Sequence, residues 1–273
     1  MDIAFATAAG SPDRPNEDWI GATTDTVVVL DGLTTPDGLE TGCRHGTVWF
    51  VHQLGAWLLG LASTEHDTSL RAHLGASIAN VANTHADTCD VTHPGSPGAT
   101  VAMLRARGDQ IEWLVLSDAF VVLDTDDGVQ VHTDDRLEQV AVEERAAMHR
   151  ADLGTTEHDA ARRSLVVAQR QVRNTPAGYW IASSNPDAAE HALVGAVDRG
   201  QVARAAVLTD GAAALATYGL TTWHQYLTDL EELGPAGMLT RVRKAEAGDS
   251  SGQCWPRFKR SDDASVAVYR IRT

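Results

Sequence analysis

The sequence is short of basic residues. Its 273 residues carry 22 Lys and Arg against 37 Asp and Glu, a formal charge of −15. Such a surface repels nucleic-acid duplexes and anionic membranes on average, so neither is an expected partner. No apolar run approaches the ~18 residues of a membrane-spanning helix. The opening MDIAFATAAGSPDRP has neither the basic start nor the apolar stretch of a secretory signal, and a cytoplasmic location is expected. Cysteine is scarce: Cys43, Cys89 and Cys254 are far apart, odd in number and outside any CxxC pair. That argues against a disulfide framework and suits a reducing compartment. No internal repeat or low-complexity linker divides the chain.

What is present suffices for a sizeable core, with 43% hydrophobic residues. Strands are predicted at IAFATAAG, WIGATT and TVVVLDG, the last a continuous apolar run that suits a buried strand. HGTVWFVHQLGAWLLGLA reads as a largely buried helix, with Trp49 and Trp57 as core. Residues 68–87 place Leu70, Leu74, Ile78 and Val81 on one helix face. Between residues 99 and 133 an antiparallel meander is predicted, with turns at RGDQ and DTDDG. Residues 136–171 read as two helices joined near Gly154. RQVRNTPAGYWIASS reads as a loop entering a short strand, and QVARAAVLTDG as a strand ending on an acid. Two helices, near 222–233 and 235–246, precede a polar loop and a last strand, ASVAVYRIR. The pattern is that of a single α+β domain over residues 1–273.

The acids are placed with regularity. Asp31 ends TVVVL and precedes Gly32; Asp210 ends AAVLT and precedes Gly211. Asp118 follows IEWLVLS. Asp262 and Asp263 precede ASVAV, and Glu17 and Asp18 precede WIGA. Asp is a good turn residue, which accounts for any one of these. Five strand ends carrying acids are harder to explain so, because unpaired carboxylates beside buried runs are costly. Strand ends meeting at one sheet edge would gather carboxylates that need a cation, and hard oxygen donors suit Mg²⁺ or Mn²⁺.

The order R-x-N-E-D, apolar-D-G, G-A-T-V, S-D, T-D-G and D-D-A-S-V resembles the metal-dependent protein phosphatases of type 2C, the PPM family. The resemblance runs from Asp2 to Ile271. It implies two packed antiparallel sheets flanked by helices on both outer faces, an αββα sandwich. It also implies two Mn²⁺ or Mg²⁺ ions, with a third possible in bacterial members. Asp31 matches the aspartate bridging both metals, Gly32 a carbonyl ligand and Glu17 a carboxylate ligand of the second. Asp210 and Asp262 match ligands of the first metal; Asp118 matches the aspartate that shares the third with the equivalent of Asp210. Asp18 would orient water, and Arg14 would bind phosphate, one residue closer to the Glu-Asp pair than in some members. The implied reaction is hydrolysis of a phosphomonoester by in-line attack of a metal-bridging hydroxide, without a phosphoenzyme. A phosphoserine or phosphothreonine protein is the expected substrate and a monomer the expected state. Two alternatives stand: the same chemistry on a small phosphorylated metabolite, or a catalytically weak regulator that binds phosphoprotein. Retention of the acid cluster speaks against the second.

This chain departs from the family in places. Asp31-Gly32 runs into Leu33 and TTPDGLETG where members have Met-Gly-Gly or His-Gly-Gly, so a histidine acid is missing. Gly-Asp-Ser-Arg becomes Ser117-Asp118-Ala119-Phe120. Residues 136–180 stand where the family has a variable flap that shapes substrate access. Elsewhere, His85, Cys89 and His93 have the spacing of zinc ligands on a helix face, but Pro94 and Gly95 favour a helix end. DTDDG lacks the glutamate of a calcium loop. RVRK followed by AEAGD reads as a solvated helix end. Arg257, Lys259 and Arg260 either balance the acids or bind an anionic substrate.

Overall fold

A computed structural model describes residues 2–270; the predicted run of the last strand into Ile271 and Arg272 lies outside the described residues. In chain order come β1 (Asp2–Ala8), β2 (Asp18–Ala22), β3 (Thr26–Gly32), α1 (Gly46–Thr64), α2 (Leu70–His85), β4 (Ala99–Arg107), β5 (Gln110–Leu116), β6 (Phe120–Thr125) and β7 (Gly128–His132). Then follow α3 (Val142–Arg150), α4 (Thr156–Val172), β8 (Leu193–Asp198), β9 (Val202–Leu208), α5 (Asp210–Thr217), α6 (Trp223–Gly248) and β10 (Ala264–Arg270). The strands form two five-stranded antiparallel sheets, ordered β1-β10-β9-β6-β7 and β2-β3-β4-β5-β8.

The continuous apolar run of β3 is explained by cover on both faces. Val28 and Leu30 pack with Leu54, Leu58, Leu74 and Ile78 of α1 and α2. Val27 and Val29 turn the other way, onto Ala205, Val207 and Tyr269 of the second sheet. That second sheet buries Ala206, Val266 and Val268 against Leu227, Leu230 and Val242 of α6. The layers are therefore helix, sheet, sheet, helix, with one apolar seam between the sheets and one outside each.

α2 forms as its pattern predicts. Ser69 caps it by accepting the Ala72 N–H at 3.2 Å, and Leu70, Leu74, Ile78 and Val81 are all buried. α1 is less enclosed than its composition suggests: Trp57, expected in the core, is 43% exposed, and Trp49 is only partly buried. The predicted meander is split. β4 and β5 pair in one sheet, β6 and β7 in the other, and the chain crosses at Ser117, whose φ is +66°. β8 was not expected, because this edge strand exposes Leu193 and Val194 and lacks a clean alternation. α5 was not expected either; its DGAAALAT is too short for a visible period. The segment WIASS makes only an isolated bridge, Ala182 with Ala99, and no strand. The two helices expected after it are the halves of α6, which kinks at Gly234 (φ +70°) and Pro235.

Candidate active site

The five acid-bearing strand ends lie along one edge of the sandwich. Asp31 is the register partner of Asp18 across β2 and β3. Gly32 accepts a close approach that no other residue allows: a Cβ there would stand 2.5 Å from the Glu17 carbonyl oxygen. Its N–H donates to that oxygen at 3.1 Å, which brings Glu17 beside the end of β3. Gly211 does the same on the other sheet, where a Cβ would lie 2.1 Å from the Asp263 carbonyl oxygen. The first turn of α5 can therefore sit against the start of β10, and Asp210 comes beside Asp262.

Three adjoining cavities open at this edge. Asp31, Gly32, Asp118, Asp210 and Asp262 line an inner cavity of about 160 Å³, roofed by Leu165, Val166 and Arg170 of α4. Glu17 and Arg14 line a wider mouth of about 840 Å³. Asp118, Asp210 and Asp262 also face a third cavity, toward α3 and α5. Phe258 and Lys259 border all three. Five of the six predicted metal-ligand positions thus line the inner cavity, and Glu17 lines the adjoining mouth.

The electrostatics show how strained the acid set is. Burial pushes the Asp31 and Asp18 carboxyls well above the usual range, and neighbouring acids push them further. Asp210 rises to about 7, through burial and then through Asp262 and Asp118. Burial raises Glu17 and Asp118 as well. Oδ1 of Asp18 and Oδ1 of Asp210 are buried with no hydrogen-bond partner among the described residues. An all-oxygen donor set with orphaned carboxylate oxygens fits a hard divalent cation, which would satisfy both the lone pairs and the charge.

Side chains fix the individual acids. Asp18 is buried and accepts from Thr209 Oγ1 at 3.1 Å; Thr209 Oγ1 in turn accepts the Ser265 N–H at 2.9 Å, so one threonine ties both sheets together here. Glu17 accepts from Thr34 Oγ1. Asp263, left without a role by sequence reasoning, accepts the N–H groups of Gly10 and Glu17, each at 2.7 Å. It thereby pins the N-terminal loop that carries Glu17. Arg14 is 51% exposed and pairs with Asp37 at 3.1 Å rather than with the acid cluster.

The basic loop residues separate. Lys259 Nζ stands 2.5 Å from Asp262 Oδ1, and Asp262 and Asp31 raise its pKa against the opposing effect of burial. Arg257 pairs with Asp249 at 2.9 Å. Arg260 lines the wide mouth with Arg14. RVRK is not a solvated helix end: Arg243 donates to the Asp262 carbonyl at 2.6 Å and to the Ala8 carbonyl at 3.1 Å, and pairs with buried Glu246 at 2.9 Å. The flap adds a feature that sequence reasoning missed. Arg145, Arg170 and Arg173 line the inner cavity, and the Nε of each is buried without a partner among the described residues. Only the spacing of Arg170 and Arg173, one helical turn apart, signals this in the sequence. Leu33 borders the same cavity, whose lining holds no histidine.

DTDDG closes the β6–β7 hairpin, with Thr125 Oγ1 donating to the Gly128 carbonyl. The His85-Cys89-His93 set does not assemble. α2 ends at His85, and His93 turns away to pack on Gly42 and accept the Gly95 N–H at 2.9 Å. Cys43 takes its place: one ligand atom each from Cys43, His85 and Cys89 lie within 4.8 Å of one another.

No family model matches the chain, and no curated protein matches it by sequence. Solved structures do. It superposes on the Mycobacterium tuberculosis serine/threonine phosphatase PstP/Ppp with a TM-score of 0.59, 16% identity, and cover of 100% of this chain and 99% of that one. The PstP catalytic domain in complex with two manganese ions gives 0.56 at 16% identity, covering 100% and 98%. The serine/threonine phosphatase Stp1 from Staphylococcus aureus gives 0.58 at 10% identity, covering 100% and 95%. The chain therefore has the fold expected from its sequence, the four-layer sandwich of the type 2C phosphatases.

Proposed function

We propose that this chain, built on the type 2C phosphatase fold, is a metal-dependent phosphomonoester hydrolase. One observation carries the reading: acids from five strand ends face adjoining cavities at one sheet edge, Asp18 and Asp210 with orphaned oxygens, and burial pushes up Glu17, Asp18, Asp31, Asp118 and Asp210. Glu17, Asp31, the Gly32 carbonyl, Asp118, Asp210 and Asp262 would hold the cations. Bound Mn²⁺ or Mg²⁺ supplies Lewis acidity and makes water a nucleophile near neutral pH.

The chain's own groups do the rest. Arg14 leaves its exposed pair with Asp37, which is worth little, and clamps phosphate oxygens with its planar fork. Asp18, held by Thr209 behind its register partner Asp31, orients water and keeps Asp31 in place. Lys259 offsets part of the acid charge. With Leu33 where a histidine acid would stand, water supplies the leaving oxygen's proton.

The wide mouth beside Arg14 has room for an extended phosphoserine or phosphothreonine segment, and a phosphoprotein is the proposed substrate. The inner cavity supports a second reading. Its small volume, its α4 roof and its three flap arginines suit a small phosphorylated metabolite. Hydrolysis of p-nitrophenyl phosphate with Mn²⁺, with and without chelator, tests the chemistry; absence of metal-dependent turnover would end both readings in favour of a binding protein. Phosphopeptide and metabolite panels then decide between the substrates.

A further inference from the structure

Cys43, His85 and Cys89 come from separate parts of the chain. Cys43 lies in the loop between β3 and α1, His85 is the last residue of α2, and Cys89 follows one turn later, its N–H donating to the His85 carbonyl at 3.0 Å. The two loops are stitched together by the Asp90 N–H, which donates to the Gly42 carbonyl at 2.8 Å. Cys43 is held in place: Thr41 Oγ1 donates to its carbonyl at 2.9 Å and accepts its N–H at 3.2 Å. The His45 N–H points at Cys43 Sγ, 3.4 Å away, a donor suited to a thiolate. The His85 ring is buried against Trp49, with centroids 5.0 Å apart, so its orientation is set by packing.

We propose that these three residues form a soft-donor site for a divalent cation of the zinc class, separate from the carboxylate centre. Cys43 Sγ and His85 Nδ1 are 3.5 Å apart. A tetrahedral zinc ion with ordinary Zn–S and Zn–N bonds holds sulfur and nitrogen about 3.5 Å apart, so the pair needs little movement to close on one. Two thiolates and a neutral imidazole also balance the ion's charge without a further acid. The set supplies three ligands and leaves the fourth position to water. All three cysteines are free thiols, so the donors are in the ligating oxidation state.

The ion would act as a clip. It would join the β3–α1 loop, whose Thr34 and Asp37 touch Glu17 and Arg14, to the end of α2. The donors differ in kind from the oxygen-only active site, which makes them separable by spectroscopy. Co²⁺ titrated into the reduced full-length chain should give thiolate-to-cobalt charge-transfer absorption that saturates at one equivalent. The absorption should persist in Cys254→Ser and Asp210→Asn and vanish in Cys43→Ser and Cys89→Ser. No charge-transfer absorption, or absorption that survives both serine variants, overturns the site. The wild type gives a check that does not depend on variant folding. Zn²⁺ should slow alkylation of Cys43 and Cys89 by roughly tenfold or more and leave Cys254 unchanged, because a metal-held thiolate is shielded from reagent. Equal rates with and without Zn²⁺, or a Cys43–Cys89 disulfide that accounts for the protection, overturn it as well.

Discussion

Lys259 is the residue that most changes the local balance of charge. It sits against Asp262 and within the influence of Asp31, where a cation would also bind. On the proposed function, ammonium and metal would compete for the same carboxylate. Lys259→Met should therefore tighten Mn²⁺ binding by about tenfold, corresponding to the removal of ~1.4 kcal/mol of competition. Isothermal titration against the wild type measures this, and unchanged or weaker binding would show that Lys259 assists the cation instead. Asp31 carries the opposite expectation. Asp31→Asn keeps the shape of the β3 end but removes the charge at the centre of the inner cavity. Its Mn²⁺-dependent turnover should fall by about a thousandfold or more. Turnover like that of the wild type would mean that the metal centre lies elsewhere.

At the scale of elements, the site depends on how closely strand and helix ends approach one another. Gly211, in the first turn of α5, lies against the β10 entry with no space for a side chain. Gly211→Ala should cost about 2–4 kcal/mol in stability, since the new methyl meets backbone that cannot rotate aside. It should also weaken Mn²⁺ binding by separating Asp210 from Asp262. Denaturant unfolding and metal titration of the same variant read the two effects, and a neutral result in both would contradict the packing at this junction. The α3–α4 pair is a different kind of element. Its sequence is charged and helical, with Gly154 (φ +83°) at the joint, and both helices were legible from that. Their placement over the inner cavity was not, because helix periodicity says nothing about which distant surface a helix covers.

For the whole molecule, the acid set couples stability to pH and, on the proposed function, would couple it to metal. Asp210 is held at about 7 in the folded chain, above its ordinary 3.8. A raised carboxyl pKa contributes stability that is fully present below about pH 4 and is lost as pH rises through about 7. In chelator, the melting temperature should therefore fall between about pH 5 and about pH 8. Saturating Mn²⁺ should reverse the fall, by about 2.7 kcal/mol at a hundredfold excess over Kd. Asp210→Asn should flatten the pH slope. Thermal melts across this range decide it, and a melting temperature that rises with pH in chelator would contradict the burial of Asp210. The acidic surface adds in the same direction, through self-repulsion at a formal charge of −15.

Sequence alone determined the features that local chemistry dictates. Alternation, apolar runs and helix-face periodicity mark nine of the ten strands among the described residues and the long helices, and the motif order Arg14, Glu17-Asp18, Asp31-Gly32, Asp118, Asp210 and Asp262 points to a carboxylate cation centre. These are readable because each depends on neighbours in the chain. Tertiary structure decided what depends on distant ones. It divided the expected meander between two sheets, moved Trp57 to the surface, and turned Arg243 from a solvated helix end into a tether on Asp262. It gave Asp263 its hold on Glu17 and brought the flap arginines to the inner cavity. It also replaced His93 with Cys43 beside His85 and Cys89, residues 42 and 46 positions away in the chain. Packing of two sheets against each other sets such meetings, and no periodicity along a single chain encodes which strand ends will share an edge.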